Sequence, residues 1–220
     1  MRKAYQQDLK KLEDEVIEMG SLAREAVSGA VEALKNRDIK ASKEIVKNDA
    51  VINKKRFDIE KKCLLLIATQ QPMATDLRTI AAMLSIITDL ERIADHAEGT
   101  ANISVMIGDK PLAKPLKDIP KMSDKALFML DECMKAFTSR DKEAAKAVCD
   151  MDDDVDALYE CAYNELIHLM IADPKTIKGA TYLMWVAHNL ERVADRVTNI
   201  AERVVFMVTG KLEEMNVSKY

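Results

Sequence analysis

Two stretches of the chain place acids where they could do chemistry. Asp89-Leu90-Glu91-Arg92-Ile93-Ala94-Asp95-His96 is followed one hundred residues later by Asn189-Leu190-Glu191-Arg192-Val193-Ala194-Asp195-Arg196. Each sets a Glu and an Asp four residues apart inside an apolar pattern of helical period, so the two carboxylates stand about 40° apart on one helix face. Like charges at that spacing repel and cost a helix a few tenths of a kcal/mol. Made twice, at matching points of two similar segments, the choice predicts that something positive is held there.

Further candidates flank the twins. The row Leu84, Ile87, Glu91, Ala94, Glu98, Ala101, Val105 matches Met184, Ala187, Glu191, Ala194, Thr198, Ala201, Val205. Both rows are small and polar at the border of an apolar stripe, so an ion or a neighbouring helix could come close. His188 precedes Glu191 by three residues and is a candidate additional ligand. Asp49 and Asp152 sit between heptad-spaced Ile or Val residues and border a buried seam. Half-buried carboxylates must be protonated, matched to a cation or hydrogen-bonded. Oxygen-rich donors with one His suit iron, manganese, magnesium or zinc. The other reading is a structural network with Arg92, Arg192, Arg78, Arg196 or Arg203. Arg92 and Arg192 each follow their Glu by about 100° of helix and are predicted not to face the pair. Both readings stay open on these residues alone.

The elements that carry these acids are read from apolar periodicity. The row Tyr5, Leu9, Leu12, Val16, Met19, Ala23, Ala26, Ala30, Ala33 predicts a first helix packed along nearly parallel neighbours, with a turn at Asn36-Arg37-Asp38. Ile45, Ile52, Ile59 and Leu66 predict a second helix that runs to Gln71 and is stopped by Pro72. A third, with Met83, Ile86, Leu90, Ile93 and Ala97, ends near Gly108. Residues 109–120 hold three of the five prolines and form the best linker. A fourth helix is predicted over Ser123 to Ser139 and a fifth over Asp141 to Ile171. The sixth is opened by Asp173-Pro174 and carries Leu183, Val186, Leu190, Val193, Val197, Ile200, Val204 and Met207. The second set repeats the first, with Ile45-Asp49-Ile52-Asn53 matching Val148-Asp152-Val155-Asp156. The expectation is an all-α protein of two tandem three-helix bundles (1–108 and 121–220) arisen by internal duplication.

Composition narrows the function classes. The chain has 220 residues, 33 basic against 37 acidic, and both signs are spread along it, so no basic arm points to nucleic acid. No apolar run approaches the roughly 18 residues of a membrane span. The first residues lack the apolar core of a signal peptide, which predicts a cytoplasmic protein. Cys63, Cys133, Cys149 and Cys161 show no CxxC spacing and read as small, mostly buried apolar residues. Trp185 is expected to pack, the 13 Met to fill the core, and His96 and His168 to be ordinary helical histidines. Gly20 and Gly29 have no phosphate-loop spacing, and no nucleophilic triad can be argued.

The pattern resembles the PhoU family of regulators of phosphate uptake and phosphate signalling. The resemblance runs from Leu9 to about Gly210. It rests on Met19-Gly20, Gln71-Pro72-Met73-Ala74-Thr75-Asp76-Leu77-Arg78, the Leu-Glu-Arg-x-Ala-Asp twins and Thr198-Asn199-Ile200-Ala201-Glu202. It implies two pseudo-symmetric three-helix bundles with multinuclear iron or zinc clusters on Glu/Asp-x-x-x-Asp motifs, manganese or magnesium being less expected. Those motifs fall on Asp49 to Asn53 and Glu91 to Asp95 in the first bundle, and on Asp152 to Asp156 and Glu191 to Asp195 in the second, with Glu202 nearby. Asn53 stands where an acid is expected, and Glu98-Gly99-Thr100-Ala101-Asn102 replaces the Thr198 to Glu202 pattern. The second set is therefore expected to bind metal more tightly.

By the same resemblance the chain is expected to be a non-catalytic negative regulator. Its partners would be the ATPase subunit of a phosphate ABC transporter and a phosphate-sensing histidine kinase. It would act as a homodimer and meet the membrane only through those partners. Two other classes compete. A ferritin-like di-metal enzyme needs four helices around one site and Glu-x-x-His on two of them, which the twins lack. A metal-free helical scaffold would use the acids for salt bridges alone.

Overall fold

The computed structural model describes residues 2–212 and Met215, with side chains from Tyr5 onward. Residues 213–214 and 216–220, at the end of the second expected unit, lie outside the described residues. The chain is all-α. Its helices are α1 (Arg2–Asn36), α2 (Ile39–Gln70), α3 (Ala74–Ile107), α4 (Asp118–Ser139), α5 (Lys142–Asp150), α6 (Asp152–Ala172) and α7 (Ile177–Thr209), with a 3-10 turn at Pro174–Thr176. Among the described residues there is no strand.

Local chemistry sets the boundaries. Asp38 caps α2 by accepting a hydrogen bond from the Ala41 N–H at 2.9 Å, and Asp141 does the same for the Glu143 and Ala144 N–H groups of α5. Asp38→Ala is expected to lower stability by about 1 kcal/mol in urea unfolding, because one helix-end N–H loses its partner. Asp173 accepts from the Lys175 N–H, and Pro174 opens the turn into α7 as expected.

Two boundaries differ from the sequence reading. The fifth rod is not continuous: it breaks at Met151, where the Met151 N–H reaches back three residues to Val148 O and Asp154 N–H to Met151 O, each at 3.2 Å. Neither proline nor glycine causes this. Asp150, Asp152, Asp153 and Asp154 surround the break. Four acids in five positions repel in mid-helix but are favourable in a first turn, and a new N-terminus provides that. The fourth helix starts at Asp118, five residues before the expected start, because Pro120 is tolerated in a first turn. The non-helical linker is correspondingly short, and its Leu112, Ala113 and Leu116 pack on the core.

Helices α1–α3 form one bundle and α4–α7 the other, and both contribute to one continuous core. Leu90, Ile93, Val193 and Leu190 are all at most 2 % exposed, so the apolar rows of the twin motifs lie in that core. The halves meet through α3 and α7, which run antiparallel. Asp89 faces Asn199 and Arg196, each at 3.5 Å, while Asn189 donates to Thr100 Oγ1 at 3.4 Å. Each twin motif thus begins opposite residues ten positions further along the other helix, the register of a pseudo-two-fold axis between the halves. Gly99 permits this approach: a Cβ there would lie 3.1 Å from Asn189 Nδ2.

Of three smaller expectations, only that for Trp185 is corrected. Cys161 is exposed, while the other three Cys are buried. Trp185 is 52 % exposed, with its ring tilted against Tyr182 rather than packed in the core. His96 is an ordinary structural histidine, as expected. It sits in the α3/α7 seam hydrogen-bonded to Asn189, and its burial holds its pKa below the ordinary value.

Candidate metal centre

Each half gathers acids from two helices onto one seam. In the first half, one oxygen each of Asp49 on α2 and of Asp95 and Glu98 on α3 lie within 4.8 Å of one another. Asp49 Oδ2 accepts a 2.6 Å hydrogen bond from Asn53 Nδ2. Its Oδ1 is buried with no hydrogen-bond partner, as is Asn53 Oδ1. Burial, then the charges of Glu98, Asp95 and Glu91, push the Asp49 carboxyl up to about 6. Asn102 donates to Glu98 at 3.3 Å. A cavity of about 310 Å³, lined in part by Ile45, Asn48, Asp49 and Ala94, opens beside Asp49.

The second half centres on Glu191, only 5 % exposed. Its Oε2 makes no hydrogen bond, although Arg192 Nε lies 3.2 Å away and His188 Nδ1 3.6 Å. Burial first, then the charges of Asp195, Asp156 and Asp152, push Glu191 up to about 7, against the opposing pull of Arg192. Burial and the Asp195, Asp153 and Glu160 charges likewise raise Asp156. His188 is held below its ordinary value by burial and by Arg192. It is therefore a neutral imidazole at pH 7, able to ligate a metal, and its ring stands 6.2 Å from that of Tyr159.

Asp152, Asp156, Glu191 and Asp195 thus act on one another, with His188 at the edge. Glu202 is not among the charges that act on Glu191. It lies about 16 Å further along α7, where its charge acts on Cys149 and its Oε1 accepts the Met215 N–H at 2.9 Å. Among the described residues, the three-carboxylate set with the closest oxygens falls in the first half. The reason lies in one position of the repeat. Glu98 adds a third carboxylate where the second half has Thr198, whose hydroxyl is bonded to Asp195 O at 2.7 Å.

The arginines depart from expectation. Arg92 Nη1 pairs with Asp95 at 3.0 Å and its Nε lies 3.6 Å from Glu91. Arg192 bridges Asp195 at 2.7 Å and Glu191 at 3.2 Å. A 100° offset at the backbone does not prevent this, since the long stem lies along the helix and brings the guanidinium back over the acids three residues on. Each cluster therefore has a built-in partial counter-ion.

Fit to a metal is decided by the atoms left over. Asp49 Oδ1, Asn53 Oδ1 and Glu191 Oε2 are buried oxygens without hydrogen bonds, and such orphans are costly unless a proton or cation reaches them. Hard oxygen donors supplemented by one neutral imidazole fit iron, zinc or manganese. Each cluster draws on two helices, where a ferritin-like centre draws on four.

Fold and site together define the class: an α-helical protein of two duplicated halves, each presenting a carboxylate cluster from two neighbouring helices. A family model described as PhoU domain matches the chain twice, over residues 16–104 and 119–204. The chain belongs to the PhoU family. It is 36% identical over 216 residues to a phosphate-specific transport system accessory protein PhoU homolog of Clostridium acetobutylicum, covering 98% of this chain and 99% of that one. A relative of the same name from Aquifex aeolicus is 35% identical over 93% of each chain. Among solved structures, the phosphate transport system regulatory protein PhoU of Streptococcus pneumoniae superposes with a TM-score of 0.90 at 30% identity, over 96% of this chain and 99% of that one. PhoU from Pseudomonas aeruginosa gives a TM-score of 0.89 at 30% identity, over 94% and 100%.

Proposed function

We propose that this chain is a cytoplasmic, metal-binding adaptor that restrains phosphate uptake and starvation signalling. In this reading it binds the ATPase subunit of a phosphate ABC transporter and a sensor histidine kinase, works as a homodimer and carries out no catalysis. The observation that carries it is coverage: a relative named as an accessory protein of phosphate-specific transport matches over 98% of this chain and 99% of its own length. The helices offer outer faces for partners, and among the described residues no helix is long and apolar enough to cross a membrane.

Iron or zinc would be held by Asp49, Asp95 and Glu98 with Glu91 in the first half, and by Asp152, Asp156, Glu191 and Asp195 with His188 in the second. These residues would let a bound cation neutralise the acids and hold α2 to α3 and α6 to α7, a structural role that would require no chemistry. A metal-free scaffold is the second reading, favoured by the Arg92 and Arg192 pairs. A melting temperature unmoved by chelator or by added iron or zinc would select it. The regulatory reading is tested in a bacterium whose own phosphate regulator is deleted and whose uptake is unrestrained. Expression of this chain is expected to lower phosphate uptake in phosphate-rich medium at least threefold. Unchanged uptake at normal expression, with no co-purification of the ATPase subunit, would defeat it.

A further inference from the structure

Among the helices, α2 has an unusual charge balance: eight basic residues against four acidic, in a chain whose net charge is -4. Its twin segment α5–α6 has the opposite balance, two basic against eight acidic. Five of the basic residues of α2 fall into two groups. Lys55 and Lys62 lean toward α1 and pair with Glu18 and Glu15 at 2.6 and 2.7 Å. Lys47, Lys54 and Lys61 are exposed, and no carboxylate of the described residues pairs with them.

These three lysines recur at heptad spacing on the face opposite the buried row Ile52, Ile59 and Leu66. Interleaved with them are Phe57, Leu64 and Leu65, which are 59%, 55% and 60% exposed. At about 100° per residue the six side chains share an arc of roughly 100°. Asp58, at the border of that arc, is the nearest acid. An outward face that is both cationic and apolar has no role in holding this fold together, since the core lies on the other side of the helix.

We propose that this face of α2 docks directly on an anionic lipid bilayer. Phe57, Leu64 and Leu65 enter the headgroup–acyl boundary while Lys47, Lys54 and Lys61 spread outward to lipid phosphates. The mixed pattern favours lipid over a protein partner. Lysine is depleted from protein interfaces, where its stem must be immobilised and its charge desolvated. At a bilayer the ammonium stays hydrated among phosphates and each Lys adds to the attraction. Among the described residues no helix is long and apolar enough to cross a membrane, so the proposed association is peripheral. This inference stands apart from the metal clusters and from the transporter partner.

The test is co-sedimentation of the purified full chain with vesicles of phosphatidylcholine alone or with about 30% phosphatidylglycerol, a fraction high enough for several lysines to find anionic headgroups. Binding is expected only to the anionic vesicles and is lost in roughly 0.5 M salt, where screening is short-ranged. Lys47→Glu/Lys54→Glu/Lys61→Glu lowers partitioning at least about 30-fold. Phe57→Ser/Leu64→Ser lowers it about tenfold with every lysine kept. Both variants change exposed side chains, and circular dichroism confirms the fold. Should the serine variant misfold, Phe57→Trp in a Trp185→Phe chain takes its place, and its fluorescence shifts to the blue on adding anionic vesicles. No binding to anionic vesicles, equal binding to neutral ones, or binding insensitive to either set of substitutions overturns the proposal. So does a charge-reversed face that loses an acidic protein partner but not vesicles.

Discussion

Protein carrying Glu191→Ala and Asp195→Ala, purified without an affinity tag, is expected to hold markedly less iron or zinc than wild type and to bind what the second cluster loses at least about 100-fold more weakly. Removing both carboxylates leaves that cluster with Asp152, Asp156 and a neutral His188, too little charge for a hard cation. Arg192 then has no acid to hold it in its own turn of helix, and its positive charge opposes metal entry. Glu91→Ala/Asp95→Ala should empty the first cluster alone, because the two seams lie on different helix pairs. Elemental analysis of wild type and both variants reads this directly. Stoichiometric metal retained in the Glu191/Asp195 variant would remove these residues from the site. Metal absent from all three would leave the arginine pairs as the sole balance for the acids.

Metal-free protein is expected to lose stability as the pH rises from about 4.5 to about 7. The Glu191 carboxyl is pushed up from its ordinary 4.5 to about 7 by burial and by Asp195, Asp156 and Asp152, and Asp49 from 3.8 to about 6 by burial and by Glu98, Asp95 and Glu91. Between the unfolded and folded values the folded state binds more protons, so stability must fall with rising pH. The contribution is fully present below the unfolded value and gone above the folded one. At roughly 1.4 kcal/mol per unit, Glu191 accounts for a few kcal/mol at most, less where water or Arg192 screens it. His96 and His188, held below their ordinary values, act in the opposite sense, since unfolding lets them charge. The measurement is therefore a comparison of wild type with Glu191→Gln, which keeps both histidines, by urea unfolding at pH 5 and pH 8. The two proteins should be similar at pH 5, and the variant more stable at pH 8. Saturating metal should remove that advantage, because it stabilises only the wild-type carboxylate. Equal stability of the two at pH 8 would show that Glu191 is not held protonated by its surroundings.

How the chain divides between sequence and structure follows from the range of each interaction. Helix period, caps and breakers act within a few residues, so the rods, the Pro72 and Pro174 boundaries and the duplicated rows could be read directly. Asp38 and Asp173 cap as their types dictate. The twin acids were legible because their repulsion needs a cause beyond their own helix. The break at Met151 is also local, but it hid because no proline or glycine marks it and the acids around it read equally well as ligands. Side-chain reach was the harder matter. Helical offset placed Arg92 and Arg192 away from their acids, yet flexible stems bring both guanidiniums back within 3.0 Å of Asp95 and Asp195.

Sequence alone therefore determined an all-α, internally duplicated chain with matched acidic motifs on its third and last rods, because those features repeat along one dimension. Tertiary structure decided which acids meet. It brought Asp49 of α2 to Asp95 and Glu98 of α3 and set α3 against α7 through Asp89, Asn199, Asn189 and Thr100. Packing raised Asp49 and Glu191 above ordinary carboxylates, first by burial and then by the carboxylates it brought beside them, and left lysines of α2 facing outward.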